Sequence, residues 1–252
     1  MSRRRQRALA AIGLALMATL TACGSPTRPP ENPAQMVTLD DETIPAQFDM
    51  TYRWIPGPVV EVNGPEGTFV RAFVESFELA NAGESLQWGY PGFADAAPSN
   101  ISQMITVYPP EVSPTEPGVG TTFYTALRRE DRADWTRIVL CRYSYQSVRG
   151  ADSPKWRSRT MPARPVEIDL VRTGATPPAR PTGPGRTTGR NVFGGWYVTR
   201  FDFMAIYPTP TADQHACDAA TPADLPRREP IDQSQPWPTM PPSPGWATAP
   251  QV

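Results

Sequence analysis

Histidine and lysine are almost missing from this 252-residue chain: His215 and Lys155 are its only examples. A single imidazole rules out multi-histidine metal centres. It also ties any Ser-His-Asp or Cys-His scheme to His215. Cysteine is scarce as well, with Cys23, Cys141 and Cys217 alone. The chain contains no G-x-G-x-x-G, Walker A, H-E-x-x-H, C-x-x-C, EF-hand or G-x-S-x-G pattern, so the common nucleotide, zinc, calcium and hydrolase signatures are all absent. Its longest apolar run, residues 8–20, covers about 20 Å as a helix, too little for a hydrocarbon core of about 30 Å. On these grounds we expect no catalytic residue, no metal ligand set and no cofactor, and we read the chain as a non-enzyme.

What is present at the N-terminus is an address. Arg3, Arg4, Arg5 and Arg7 precede the apolar run, and small residues lead to Cys23. A basic start, a short apolar core and a small-residue cleavage site make a secretory signal. Leu20-Thr21-Ala22-Cys23-Gly24 resembles the bacterial lipobox. That resemblance implies a diacylglyceryl group on the Cys23 thiol and cleavage just before it. Each buried CH₂ contributes about 0.8 kcal/mol, so two or three acyl chains anchor stably. The implied location is the extracytoplasmic face of the cell membrane, with the lipid bilayer as partner through Cys23. The bias toward arginine, alanine and proline is that of a high-G+C genome and points to an actinobacterial source.

Loss of residues 1–22 removes four arginines and no acid, moving the formal charge from −1 to −5. A mildly acidic mature chain argues against nucleic acid as a partner. With Cys23 acylated, Cys141 and Cys217 remain, and two cysteines in an oxidising compartment are expected to pair. Two buried free thiols are the alternative.

Proline and glycine, 32 and 18 residues, make about a fifth of the chain against a usual ~12%. Their distribution divides the chain into a signal peptide at 1–22, a lipidated Cys23 with a flexible tether at 23–47, a single domain at 48–220, and a disordered Pro-rich tail at 221–252. The tail sets Trp237 and Trp246 among prolines. Such a segment could also dock in an aromatic groove as polyproline II.

Within the domain, 48–62 reads as a short strand or ordered lead-in, broken by Pro56-Gly57-Pro58. Residues 65–81 read as the main amphipathic helix. Phe69, Phe73 and Phe77 recur at i, i+4 and i+8 with Val70 and Val74, while Arg71, Glu75 and Glu78 lie opposite, and Gly83 stops it. Trp88-Gly-Tyr-Pro-Gly-Phe93 reads as a turn leading to at most a short helix. Trp88, Tyr90 and Phe93 are its possible ligand pocket, with packing under a loop as the plainer alternative. Strands are expected at 101–108, 121–128, 135–147, 165–172 and 196–207. The alternation of Val139, Cys141, Tyr143 and Tyr145 against Arg142, Ser144 and Gln146 predicts an antiparallel sheet with one covered face.

Residues 174–191 form a long Pro, Gly, Thr and Arg-rich loop. From Arg149 to Arg190 there are nine basic residues against three acidic ones. Arginines so placed could meet lipid headgroups or anionic envelope polymers, or simply be solvated. Glu167, Asp169 and Asp202 lie on neighbouring expected strands, the arrangement a carboxylate-pair enzyme would need. Solvent-facing strand acids are the plainer alternative. His215 and Cys217 stand close in sequence, but pairing of Cys217 in a disulfide would remove the thiolate from any metal site. Asn100-Ile-Ser102 matches a glycosylation acceptor and carries no weight in a bacterial chain.

The fold class is α+β, a curved antiparallel sheet packed on one main helix, with disordered ends. The strand 166–171, a loop, and then Gly194-Gly195-Trp196-Tyr197-Val198-Thr199-Arg200-Phe201 are similar to the NTF2-like fold. The likeness spans about 66–207 and implies a sheet wrapping a helix around a cone-shaped cavity. The chain departs from that pattern in showing one helix rather than three and in its long loop. A β-sandwich with one inserted helix is the alternative. The functional expectation is a membrane-anchored binding or assembly module of the cell envelope, with envelope proteins or anionic polymers as further partners. A small-ligand or lipid carrier with an aromatic-lined cavity stands as the alternative, and an envelope enzyme using strand carboxylates as the third reading.

Overall fold

The computed structural model describes residues 48–108, 118–150, 152–203, 211–223, 225 and 229–247. The signal segment, Cys23 and the tether lie outside these. Pro56-Gly57-Pro58 lies one residue beyond strand β1 (Phe48–Trp54). Helix α1 (Pro65–Ala82) begins on a proline, whose missing N–H costs nothing there, and ends at Gly83. A 3-10 turn at Leu86–Trp88 and a short α2 (Phe93–Ala96) follow. Gly92, at φ 89°, opens α2 in the left-handed region that favours glycine.

The stretch expected as a strand at 101–108 is instead helix α3 (Ile101–Val107). Ile101, Met104, Ile105 and Tyr108 are its inward residues, at i, i+3, i+4 and i+7. The Asn81 side chain donates to the carbonyls of Ile105 and Tyr108 at 2.9 and 2.7 Å, satisfying acceptors that a helix end leaves open. Helical burial and this cap outweigh the β-branched composition.

The sheet then follows. Strands β2 (Gly118–Asp131), β3 (Thr136–Val148) and β4 (Trp156–Val171) form two long hairpins, and β6 (Tyr197–Asp202) closes the far side. Strand order is β1-β2-β3-β4-β6, with β7 (Ile231–Gln233) pairing the start of β4. Among the described strands of this sheet the pairings are antiparallel except β1 with β2, which is parallel and departs from the all-antiparallel expectation. Register shifts at Ala126/Arg128, Arg142/Ser144 and Asp169/Leu170 bend the strands. The result is the expected α+β class, a curved open sheet on one main helix, compatible with an NTF2-like cone.

Both faces of the sheet are covered, not one. Ile138 and Leu140 of β3 and Val166, Ile168 and Leu170 of β4 pack in the core that contains α1. Cys141, Tyr143 and Tyr145 point the other way. They join Phe123, Ala163, Leu225 and Trp237 under helix α4 (Ala212–Ala219). The Cys141–Cys217 disulfide, with Cα atoms 5.3 Å apart, ties α4 to the middle of β3.

The tail expected to be disordered from 221 onward is docked over 229–247. Ser243 donates to the Tyr52 carbonyl at 3.1 Å and accepts from the Trp54 amide at 2.6 Å, so the tail runs along the outer edge of β1. Prolines 241, 242 and 244 have no N–H to offer, and Ser243 alone supplies the donor the edge needs. Trp237 and Trp246 are both buried, which offsets the ordering entropy. The long 174–191 loop contributes β5 (Thr182–Gly183), and the tail contributes β8 (Gly245–Trp246), which pair as a small second sheet. Two segments expected to be irregular thus hold one another.

Candidate functional site

The described residues between α1 and the sheet form an aromatic core. Phe69, Phe73, Phe77, Phe93, Phe193, Phe201 and Phe203 are all buried there. Most of their rings meet edge-on or tilted, as in Phe73–Phe201 at 5.1 Å and Phe77–Phe201 at 4.6 Å, while Phe69 and Phe73 stack at 6.3 Å.

The stripe of α1 opposite the phenylalanines does not face solvent. Arg71 and Glu75 are almost fully buried, and only Pro65, Glu66 and Glu78 of the helix are part-exposed. Glu75 accepts three hydrogen bonds: from Trp54 Nε1 at 2.7 Å, from the Tyr90 hydroxyl at 2.6 Å and from Trp246 Nε1 at 2.6 Å. Burial pushes its carboxyl above the usual range, against the opposing pull of Arg71 and these donors. Arg71 stacks on the Trp246 ring at 4.2 Å and donates to the Pro244 carbonyl at 2.8 Å. Its Nε lies 3.9 Å from Glu75. One turn on, Glu78 takes a two-pronged contact from Arg142 at 2.8 and 2.9 Å and a hydrogen bond from the Tyr124 hydroxyl. The polar stripe of the helix therefore meets the polar stripe of β3 inside the protein. Both carboxylates are held by protein donors and so are poorly placed to exchange a proton with a substrate.

The sequence-derived site residues separate. Tyr90 and Phe93 are core residues, Tyr90 through its bond to Glu75 and Phe93 against Phe73 at 5.4 Å. Trp88 is half-buried and lies over Gly83, where a Cβ would come within 2.2 Å of its ring. Neither of the clefts described below is lined by any of the three. Glu167 and Asp202 are register partners on β4 and β6. Glu167 accepts from Arg200 at 2.6 Å, and Asp169 takes both prongs of Arg137 at 2.7 and 2.8 Å. Asp202 lies 3.8 Å from Arg200. These acids sit in ion pairs, not in the apolar pocket that a raised acid needs. Cys217 is in the disulfide, and among the described residues no three of His, Cys, Asp and Glu converge as metal ligands. Cys23 lies outside the described residues.

Concave surface is found on the outside. One cleft of about 530 Å³ lies between Arg53, Ile55 and Phe123 on one side and Pro222, Ala223 and Ser243 on the other. A second, of about 520 Å³, lies beside the disulfide among Tyr143, Thr160, Met161, Asp218 and Thr221. Sequence reasoning missed both, because each joins α4 or the segment after it to strands some 60 to 170 residues away. Compared with protein-family models, with curated proteins and with solved structures, the chain matches none.

Proposed function

We propose that this chain is a lipid-anchored binding or assembly module on the extracytoplasmic face of an actinobacterial cell membrane, with no catalytic chemistry of its own. The observation that carries this reading is the aromatic packing of the described interior. Seven phenylalanines occupy the space a carrier would use, and Glu75 and Glu78 are engaged by Trp54, Tyr90, Trp246, Tyr124 and Arg142. Recognition then falls to the outer surface, where a protein or anionic envelope partner can reach the two clefts. The Cys141–Cys217 disulfide supports an oxidising compartment. The lipobox around Cys23 supplies the anchor.

The test is made in cells. Full-length chain is followed through membrane fractionation, with and without Cys23→Ala. Photo-crosslinking residues are then placed at Thr125 and at Thr160, on the rims of the two clefts. A specific crosslinked protein or polymer that disappears when a rim is altered is the expected result. Unchanged fractionation of Cys23→Ala would overturn the anchor. Turnover of an envelope substrate that depends on Glu167 or Asp202 would overturn the non-catalytic reading.

A further inference from the structure

The two ends of the sheet differ in charge balance. At the β2–β3 hairpin end every arginine has an acid. Arg129 pairs with Glu66 and Asp131, Arg132 with Glu130, Arg137 with Asp169, Arg172 with Glu66, and Arg128 with Asp213. At the β3–β4 hairpin end the balance reverses. Arg149 and Lys155 are exposed and Arg159 is part-exposed, and none of the three has an ion pair among the described residues. Arg157 pairs only with Asp232, at 3.2 Å between exposed side chains. Asp152 in the turn and exposed Glu229, which lines a cleft with Thr160, are the other acids near this tip.

The same tip carries apolar surface. Ile231 is 47% exposed, one of three large hydrophobic residues so exposed among those described. It pairs with Ser158 and shares a sheet face with half-buried Trp156. Arg149 lies over the Trp156 ring at 5.2 Å. Arg157 and Arg159 lie on the other face of the strand. A tryptophan and an isoleucine flanked by cations is the composition that suits the headgroup level of a bilayer.

Register places the chain's entry at this end. Phe48 pairs with Gly118, Gly118 with Val148, and Val148 with Arg157. Three strand spacings make about 15 Å from the first described residue to the basic tip. We propose that this tip, Arg149, Lys155, Arg157 and Arg159 with Trp156 and Ile231, is a docking surface for the anionic lipid headgroups of the membrane in which Cys23 is anchored. The choice of a membrane as occupant rests on the lipid-anchor reading and on the entry of the chain into the described domain at this end. The acidic charge of the rest of the chain does not oppose it, because charges more than about 10 Å apart are screened at 0.1 M salt. Docking through this tip turns the two clefts beside α4 into surfaces at a set height above the membrane.

Lys155, the only lysine, makes the test site-specific. Mature chain is placed in vesicles of phosphatidylglycerol and phosphatidylcholine in equal parts, or of phosphatidylcholine alone. Lys155 is labelled with an amine reagent and read at the peptide level. Labelling should be several-fold slower in the anionic vesicles. The protection should vanish in about 1 M salt, where the screening length is about 3 Å. Arg157→Gln and Arg159→Gln, both at least part-exposed, should each weaken docking about fivefold, the worth of one basic residue at an anionic surface.

Equal labelling in the two vesicle types overturns the proposal. So does equal protection by a soluble anionic polymer without vesicles, which would assign the tip to polymer instead. The acyl mass on the Cys23 peptide is read in the same samples, so failure of the anchor is seen separately. Chain without lipid is mixed with the same vesicles, and the same comparison then decides the docking surface.

Discussion

The two faces of the sheet are closed by different means. Toward α1, an 18-residue helix, seven buried phenylalanines and two engaged carboxylates make a large core that needs no covalent help. Away from α1, an eight-residue helix with one buried residue, Cys217, covers a small cluster around Tyr143 and Tyr145. That helix buries too little apolar surface to stay on its own. The disulfide, the Arg128–Asp213 pair and the Trp237 segment hold it and the surface around it. A large packed layer specifies the fold, and a small stapled one carries the clefts.

The comparison can be broken most strongly at the staple. Replacing Cys141 and Cys217 by serine opens a link across 76 residues, and in the chain-entropy account this costs about 4 kcal/mol. Urea unfolding reads the total. Hydrogen exchange should show α4 and β7 losing protection while α1 keeps it. Uniform loss would mean that the two layers are one cooperative unit.

Next comes the first layer's polar node. Glu75→Leu removes the acceptor of the bonds from Trp54, Tyr90 and Trp246 and leaves Arg71 without its partner, a loss of about 3 kcal/mol. Here the exchange pattern should reverse, with β8 and the tail freed while α4 stays protected.

A smaller effect is expected at Tyr145. Its hydroxyl donates to the Pro238 carbonyl at 2.7 Å, and Tyr145→Phe should cost about 1 kcal/mol in urea unfolding.

Acid should act on the two faces with opposite sign. Arg128 holds Asp213 below its ordinary value. That contribution is present above the unfolded carboxylate range and is lost as pH falls through the lower folded value, so α4 loosens. Burial holds Glu75 above its ordinary value. Stability from that group rises as pH falls from the raised value to the unfolded one, so the first layer tightens. Exchange of α4 and of the tail measured across acid pH checks both signs. The smallest effect is expected at Glu167→Gln with Asp202→Asn, whose ion pairs are part-exposed. About 0.5 kcal/mol in urea unfolding is the expected cost.

Much of the large layer was legible in the sequence. The phenylalanine spacing located α1, and alternation located β3 and the second half of β4, because those periods follow from local geometry. Pairing of Cys141 with Cys217 followed from counting. The Arg71-Glu75-Glu78 stripe was legible as polar but not as buried, since its partners Trp54, Tyr124, Arg142 and Trp246 come from four distant segments. Helix α3 carried its signal in Ile101, Met104, Ile105 and Tyr108, masked by β-branched composition. The docked tail was hidden by its prolines, although Trp237 and Trp246 were the mark of a segment with something to bury. The burial of Tyr90 and Phe93 was not legible in the aromatic turn, because sequence shows ring content and not ring packing.

Native mass spectrometry of the mature chain, extracted with its anchor from a host envelope, tests the non-carrier reading most directly. The account predicts the polypeptide plus the acyl groups on Cys23 and nothing further. A stoichiometric additional mass that passes into organic solvent, and that is lost when Phe73 or Phe201 is enlarged to Trp, would contradict it and restore the carrier.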